Sequence, residues 1–178
     1  AMDGTTSCFI RAPWFIDNMW ADVDTIKSMN TFFAPVSSDA KELSAAAADI
    51  AEAVAVAAMD AGTAGKAFFV LGDHLSKAEV AALYSEKLGR AVTHTQASAE
   101  AATQSLLGFG FKQWLIDGIL ELYELNETAE FMAAHAGEFE ALTGKKPTTV
   151  SQYMDASTLI SEIAPNIVVA VQNCGNAG

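Results

Sequence analysis

The chain has 178 residues, enough for one compact domain with its own core, and 51% of them are hydrophobic against 18% charged, which excludes a disordered tail. A formal net charge of -12 repels phosphate backbones and anionic bilayer surfaces, so neither nucleic acid nor membrane is an expected partner. No basic-plus-apolar leader pattern opens these residues, and no apolar run is long enough to span a bilayer. Cys8 and Cys174 read as reduced thiols, and the expected location is cytoplasmic.

In chain order, Cys8-Phe9-Ile10 predicts a short buried strand that leaves into the aromatic-rich turn Trp14-Phe15-Ile16-Asp17-Asn18. Residues 31–36 predict a second short strand, stopped at Pro35. Residues 40–59 are alanine-rich and helical. Asp49 followed by Glu52 has capping-box spacing, so the helix starts either there or at Ala40, with Ile50, Val54 and Ala57 or Ala58 inward. Gly62 and Gly65 break it, and Lys66 to Leu71 predicts a strand.

Ser76 to Gly89 carries the clearest helix signal. Ser76 and Glu79 form a capping box, Val80, Leu83, Tyr84 and Leu88 share a face, and Gly89 suits a left-handed stop. Ala91 to Gln96 is strand-like. Helices are predicted over residues 98–107 and 111–124, the second with Trp114, Leu115, Ile119, Leu122 and Tyr123 near helical spacing, and residues 126–135 continue or restart it. Glu138 to Thr143 is a short helical turn. Thr149 to Ile163 is a last helix boxed by Gln152 and stopped by Pro165, and Ile167 to Val171 is β-like. The expectation is one domain over residues 1–178.

Chemistry is sparse. His74, His94 and His135 are scattered, so no metal site is expected. No small-residue elbow surrounds a serine. Gly108-Phe109-Gly110 is the nearest thing to a phosphate-cradling turn, but it lacks a third glycine and reads as a link between two helices. Asp117, Glu121, Glu124, Glu127 and Glu130 recur at helical spacing as a solvated face.

Four segments, taken in order, resemble the NmrA-like branch of the atypical short-chain dehydrogenases. They are Ile10-Arg11-Ala12-Pro13-Trp14-Phe15-Ile16-Asp17-Asn18, Asp49-Ile50-Ala51, the run from Gly65-Lys66 through Leu71-Gly72, Leu75-Ser76, Glu79 and Leu88-Gly89-Arg90 to Val92, and Leu142-Thr143-Gly144-Lys145-Lys146-Pro147. They cover roughly residues 8–155, and residues 156–178 form a divergent tail. Ala12 departs mildly from a position where proline is common.

The resemblance implies a helix-rich α+β fold: the C-terminal, substrate-side portion of an NAD(P)-binding architecture, lacking the N-terminal Rossmann half with its glycine-rich turn. It implies that Trp14, Phe15 and Asn18 wall a nicotinamide and substrate pocket, and that Trp114 lies in the region covering the substrate. Core packing of Trp14, Phe15 and Trp114, and a turn cap at Asn18, are the competing assignments. No catalytic residue is assigned. NAD(P) is the cofactor the family implies, with none expected on this chain alone, which is therefore expected to be inactive by itself. Three classes stay open: a redox enzyme or redox sensor, a non-enzymatic binding or regulatory module, and a stand-alone domain holding a small apolar ligand. Strand edges left without sheet neighbours predict self-association or a partner chain.

Overall fold

A computed structural model describes residues 6–126, 132 and 134–164 of the chain. Its short strands fall into three small sheets. β1 (Phe9–Arg11) pairs parallel with β5 (Ala67–Phe69). β2 (Trp14–Phe15) pairs parallel with β4 (Lys41–Ala45), which takes β6 (His74–Ser76) antiparallel on its other edge. β3 (Thr31–Ala34) pairs parallel with β7 (Thr93–Gln96). A 3-10 segment over Ile16–Asp22 leads from β2 into α1 (Val23–Met29). The remaining helices are α2 (Ala47–Met59), α3 (Lys77–Leu88), α4 (Ala99–Gly108), α5 (Gln113–Asn126), α6 (Glu138–Thr143), α7 (Val150–Ala156) and α8 (Leu159–Ile163). The class is the helix-rich α+β the sequence implied.

α3 forms for the reasons its sequence announces. Ser76 Oγ accepts from the Glu79 amide at 3.1 Å, Glu79 Oε2 accepts from the Ser76 amide at 2.7 Å, and Gly89 closes the helix at φ 63°. The backbone hydrogen bond from Ser76 holds the exposed Glu79 carboxyl below the usual glutamate range. The inner face of α3, with Ala81 and Tyr84 buried, packs on the largest core, which also takes Ile16, Met19, Ile26, Phe32 and Val92. Val150, Met154, Leu159 and Ile163 close that core from α7 and α8. A smaller cluster under α2 and α6 joins Ala45, Ala53, Val70 and Phe139.

Several expectations need correction. Residues 41–45 are a strand, not part of an alanine-rich helix: β4 is buried from Glu42 to Ala45 between β2 and β6, and sheet pairing overrides local propensity. α2 accordingly starts at Ala47, and Asp49 does not cap it. Asp49 instead accepts from the Thr148 amide at 2.7 Å and hydroxyl at 2.9 Å. Val54 is half exposed, and Ala53 and Ala57 line the inner face. α5 buries Ile116, whereas Trp114 is 71% exposed and Leu122 60%. The last helix keeps its Thr149–Gln152 box but breaks at Ser157–Thr158 into α7 and α8. Glu127, Glu130, Pro165, the run Ile167 to Val171, Cys174 and most of the expected helix over residues 126–135 lie outside the described residues.

One glycine is set by close approach. A Cβ at Gly72 would stand 2.9 Å from the Ser44 carbonyl oxygen and 3.1 Å from that of Thr148, both backbone atoms. The Gly72 amide donates to that Ser44 oxygen at 2.6 Å. We expect Gly72→Ala to destabilise the fold by about 1–3 kcal/mol, as overpacking does. Gly108→Ala, with nothing within 4 Å, is the neutral control. Urea unfolding of both variants reads the difference.

Candidate functional site

Trp14 and Phe15 are neighbours on β2 and so face opposite ways. Trp14 is half-buried, while Phe15 is 41% exposed. Asn18 is exposed on the 3-10 segment. Trp114 is exposed in the first turn of α5. Trp14, Phe15 and Asn18 thus share one stretch of chain, but Trp14 faces away from Phe15, and Trp114 stands on a separate helix. α5 reaches Trp14 through Tyr123, whose oxygen accepts the indole N–H of Trp14. Trp114 lies nine residues before Tyr123, about 14 Å along the helix axis.

The inner side of Trp14 opens on a polar cluster that sequence reading missed. Lys77 Nζ lies 4.8 Å from the Trp14 ring centroid and 2.5 Å from Glu42 Oε2. Both members of that ion pair are buried. Glu42 Oε1 has no hydrogen-bond partner among the described residues. Trp14, Asp22, Phe32, Glu42 and Lys77 line a cavity of about 30 Å³, with room for about one water. Burial pushes the Asp22 carboxyl up to about 7, against the pull of Lys77 and of the Tyr84 hydroxyl, which donates to Asp22 Oδ2 at 3.5 Å. Burial, with the charges of Glu42 and Asp22, pushes the Tyr123 phenol up to about 12. Burial and Lys77 lower the His94 imidazole; its Nε2 has no partner among the described residues.

One sequence signal pointed here. Lys77 is the first residue of α3, where the helix dipole disfavours a cation and an acid is expected. A lysine there needs a partner, and Glu42 supplies it.

The strand-to-helix junctions are occupied by the chain's own acceptors. Asp17 Oδ2 accepts from the Ala47 amide at the start of α2, at 2.8 Å. The Ser76–Glu79 box closes α3, and Ser98 Oγ accepts from Ala101 at α4. The Thr149–Gln152 box and Asp73 Oδ2, which accepts from Val150 at 2.7 Å, close α7. These termini present carboxylates and filled amides where a pyrophosphate needs free N–H groups. Among the described residues no group of His, Cys, Asp and Glu is placed to hold a metal ion, and no helix is long and apolar enough to cross a membrane.

A family model described as the NmrA-like family matches residues 3–154. The chain belongs to this family. It is 29% identical over 154 residues to an NAD(P)H azoreductase of Xenophilus azovorans, covering 86% of this chain and 53% of that protein. The fold is similar to that of an NADPH-dependent quinone oxidoreductase from Escherichia coli (TM-score 0.71, 23% identity, 86% of this chain and 55% of that one). It is also similar to the triphenylmethane reductase of Citrobacter sp. (TM-score 0.66, 16% identity, 89% and 53%). This NmrA-like chain spans about half the length of the relatives it matches.

The residues that carry the family resemblance hold chain crossings together. Asp17 and Asp49 act as described above, and Asp73 follows Gly72 at the close contact with β4. Arg90 donates to the side-chain oxygen of Asn30, which closes α1 in the left-handed conformation at φ 55°. Thr143 Oγ1 donates back to the Phe139 carbonyl at 2.8 Å, and Gly144 closes α6 at φ 73°.

Two outcomes follow from the buried cluster. Lys77→Met strands Glu42 without a countercharge and is expected to cost about 3–5 kcal/mol in urea unfolding. The double change Lys77→Met, Glu42→Met removes both charges and restores most of that loss. Asp22 gives the second. Its folded pKa lies above its unfolded one, so it stabilises fully below about pH 4 and loses that contribution as pH rises to about 7. Asp22→Asn is expected to flatten the fall in stability between those limits, a term of at most about 4 kcal/mol.

Proposed function

We propose that this chain is the acceptor-side part of an NAD(P)H-dependent reductase, that its acceptors are planar conjugated molecules, and that residues other than these hold the dinucleotide's pyrophosphate. The carrying observation is a set of exposed aromatic side chains on β2 and around the head of α5 in a chain aligned over 154 residues with an NAD(P)H azoreductase. Phe15 is 41% exposed, Trp114 71% and Phe109 77%. Aromatic faces stack on conjugated rings, and Asn18 adds a donor and an acceptor beside Phe15. The azo, quinone and triphenylmethane names of the relatives all point to ring-bearing acceptors with such faces.

The described residues do not fit the phosphate end of the cofactor. The helix N-termini of α2, α3 and α7 each carry a carboxylate or a closed capping box, which opposes a bound dianion. This chain's share of the work is then to bind and orient the acceptor and exclude water from one of its faces. β1 pairs on one edge only among the described residues, with β5, and a parallel strand of the dinucleotide-binding unit is the partner that suits its other edge. By itself the chain binds acceptor without turning it over.

Titration of the purified chain with a naphthoquinone and with NADPH, followed by tryptophan emission, tests this. The quinone is expected to quench saturably. Trp114→Ala and Phe15→Ala are each expected to weaken it about 2- to 10-fold, the worth of one stacking contact. Saturable NADPH binding to this chain alone, or quinone affinity unchanged in both variants, refutes the assignment.

A further inference from the structure

The cavity beneath Trp14 holds one more carboxylate than it has cations. Glu42 and Lys77 face each other at 2.5 Å, and Asp22 lines the same space. Among the described residues Asp22 has only a long hydrogen bond, 3.5 Å, from the Tyr84 hydroxyl. Lys77 is shared in a second sense, because its ammonium also lies against the Trp14 ring. That ring is therefore held from two sides: the cation on its face, and the Tyr123 oxygen on its N–H.

We propose that Asp22 is a one-proton switch on the position of the Lys77 ammonium and, through it, on the Trp14 ring. With Asp22 protonated, Lys77 serves Glu42 and Trp14. When Asp22 ionises, a buried and a part-buried anion compete for one cation, and the ammonium is drawn from the indole face towards Asp22. Only a proton moves, from the Asp22 carboxyl to solvent, and no bond between heavy atoms changes.

Every element packed around Asp22 bears on this balance. α3 contributes Lys77 and Tyr84, β4 contributes Glu42, and α5 contributes Tyr123. β7 contributes His94, whose ring Lys77 biases towards the neutral form. From α7, Tyr153 acts on Tyr84 and donates to Asp17 Oδ1 at 3.4 Å. Lys77 is the cation among these groups. Burial places the Asp22 titration close to neutrality, where the switch operates. The coupling is short. Asp22 ends the 3-10 segment that begins at Ile16, directly after the β2 pair Trp14–Phe15. Such tight segments often act as hinges.

The switch does not rest on the functional reading above, so its test uses no acceptor. Carbon-13 NMR of labelled aspartate follows Asp22 in the full chain. Emission follows Trp14 alone once Trp20 and Trp114 are replaced by phenylalanine. Asp22 is expected to titrate near neutrality, with a Trp14 emission step at the same midpoint. Glu42→Gln frees Lys77 for Asp22 and is expected to lower that midpoint by about one pH unit or more, about tenfold in proton affinity. Asp22→Asn, which keeps the Glu42–Lys77 pair intact and so serves where Glu42→Gln fails to fold, is expected to abolish the emission step. Asp22 titrating in the ordinary carboxylate range, a flat Trp14 signal across its midpoint, or an emission step surviving in Asp22→Asn overturns the switch. A chain that passes these tests yet binds no quinone keeps the switch and loses only the functional reading.

Discussion

β4 is the strand on which the rest of the structure depends. Its Ser44 pairs with Trp14 on one edge, its amide donates to the Asp73 carbonyl at 3.0 Å, and its carbonyl accepts from Gly72 at 2.6 Å. Three stretches of chain thus meet at one residue, with a fourth, at Thr148, pressed against the same glycine. Two residues before Ser44, Glu42 is buried and takes Lys77. A strand clamped on both edges cannot slip by one residue without exchanging the faces of Glu42 and Leu43, so the register of the sheet and the ion pair select each other.

The acidic balance of the chain acquires a structural meaning from the same geometry. Asp17, Asp49 and Asp73 each accept a backbone amide from a segment distant in sequence. They replace ligands at the amide clusters that elsewhere bind phosphate, and they join segments that no single sheet connects. Asp17 and Asp49, which fall in the family pattern, are therefore read best as fasteners, and Asp73 beside Gly72 acts likewise. This explains why they recur in a stretch without the chemistry of an acid or base catalyst.

How much of this was legible follows from where each signal resides. α3 was readable almost to the residue, because a capping box, an apolar face and a terminal glycine are all local. β4 was not, since alanine on either side of it favours helix and only pairing with β2 and β6 makes it a strand. The same error moved Asp49 from a partner of Thr148 to an imagined cap. On α5 the large residues invited the wrong face: Trp114 and Leu122 look like core by size, yet Ile116 is the one buried. Trp14, Phe15 and Asn18 lie in one contiguous stretch, which local pattern alone can single out. Asp22, Glu42 and Lys77 do not: their meeting requires three separate elements, and the only local hint was a lysine at the wrong end of a helix dipole.

An aromatic ring seated on a charged cluster behaves differently from one seated on an apolar core. A ring packed only by methyl groups is fixed by shape and indifferent to pH. The Trp14 ring is held by an ammonium and a phenol oxygen, both of which respond to the charge of neighbouring carboxylates. Moving one proton in such a site changes the field across the indole face without repacking the core around it. The cost is the retention of buried charge, which an apolar set of similar volume would avoid. Retaining it is understandable if the orientation of that one ring has to answer to a proton.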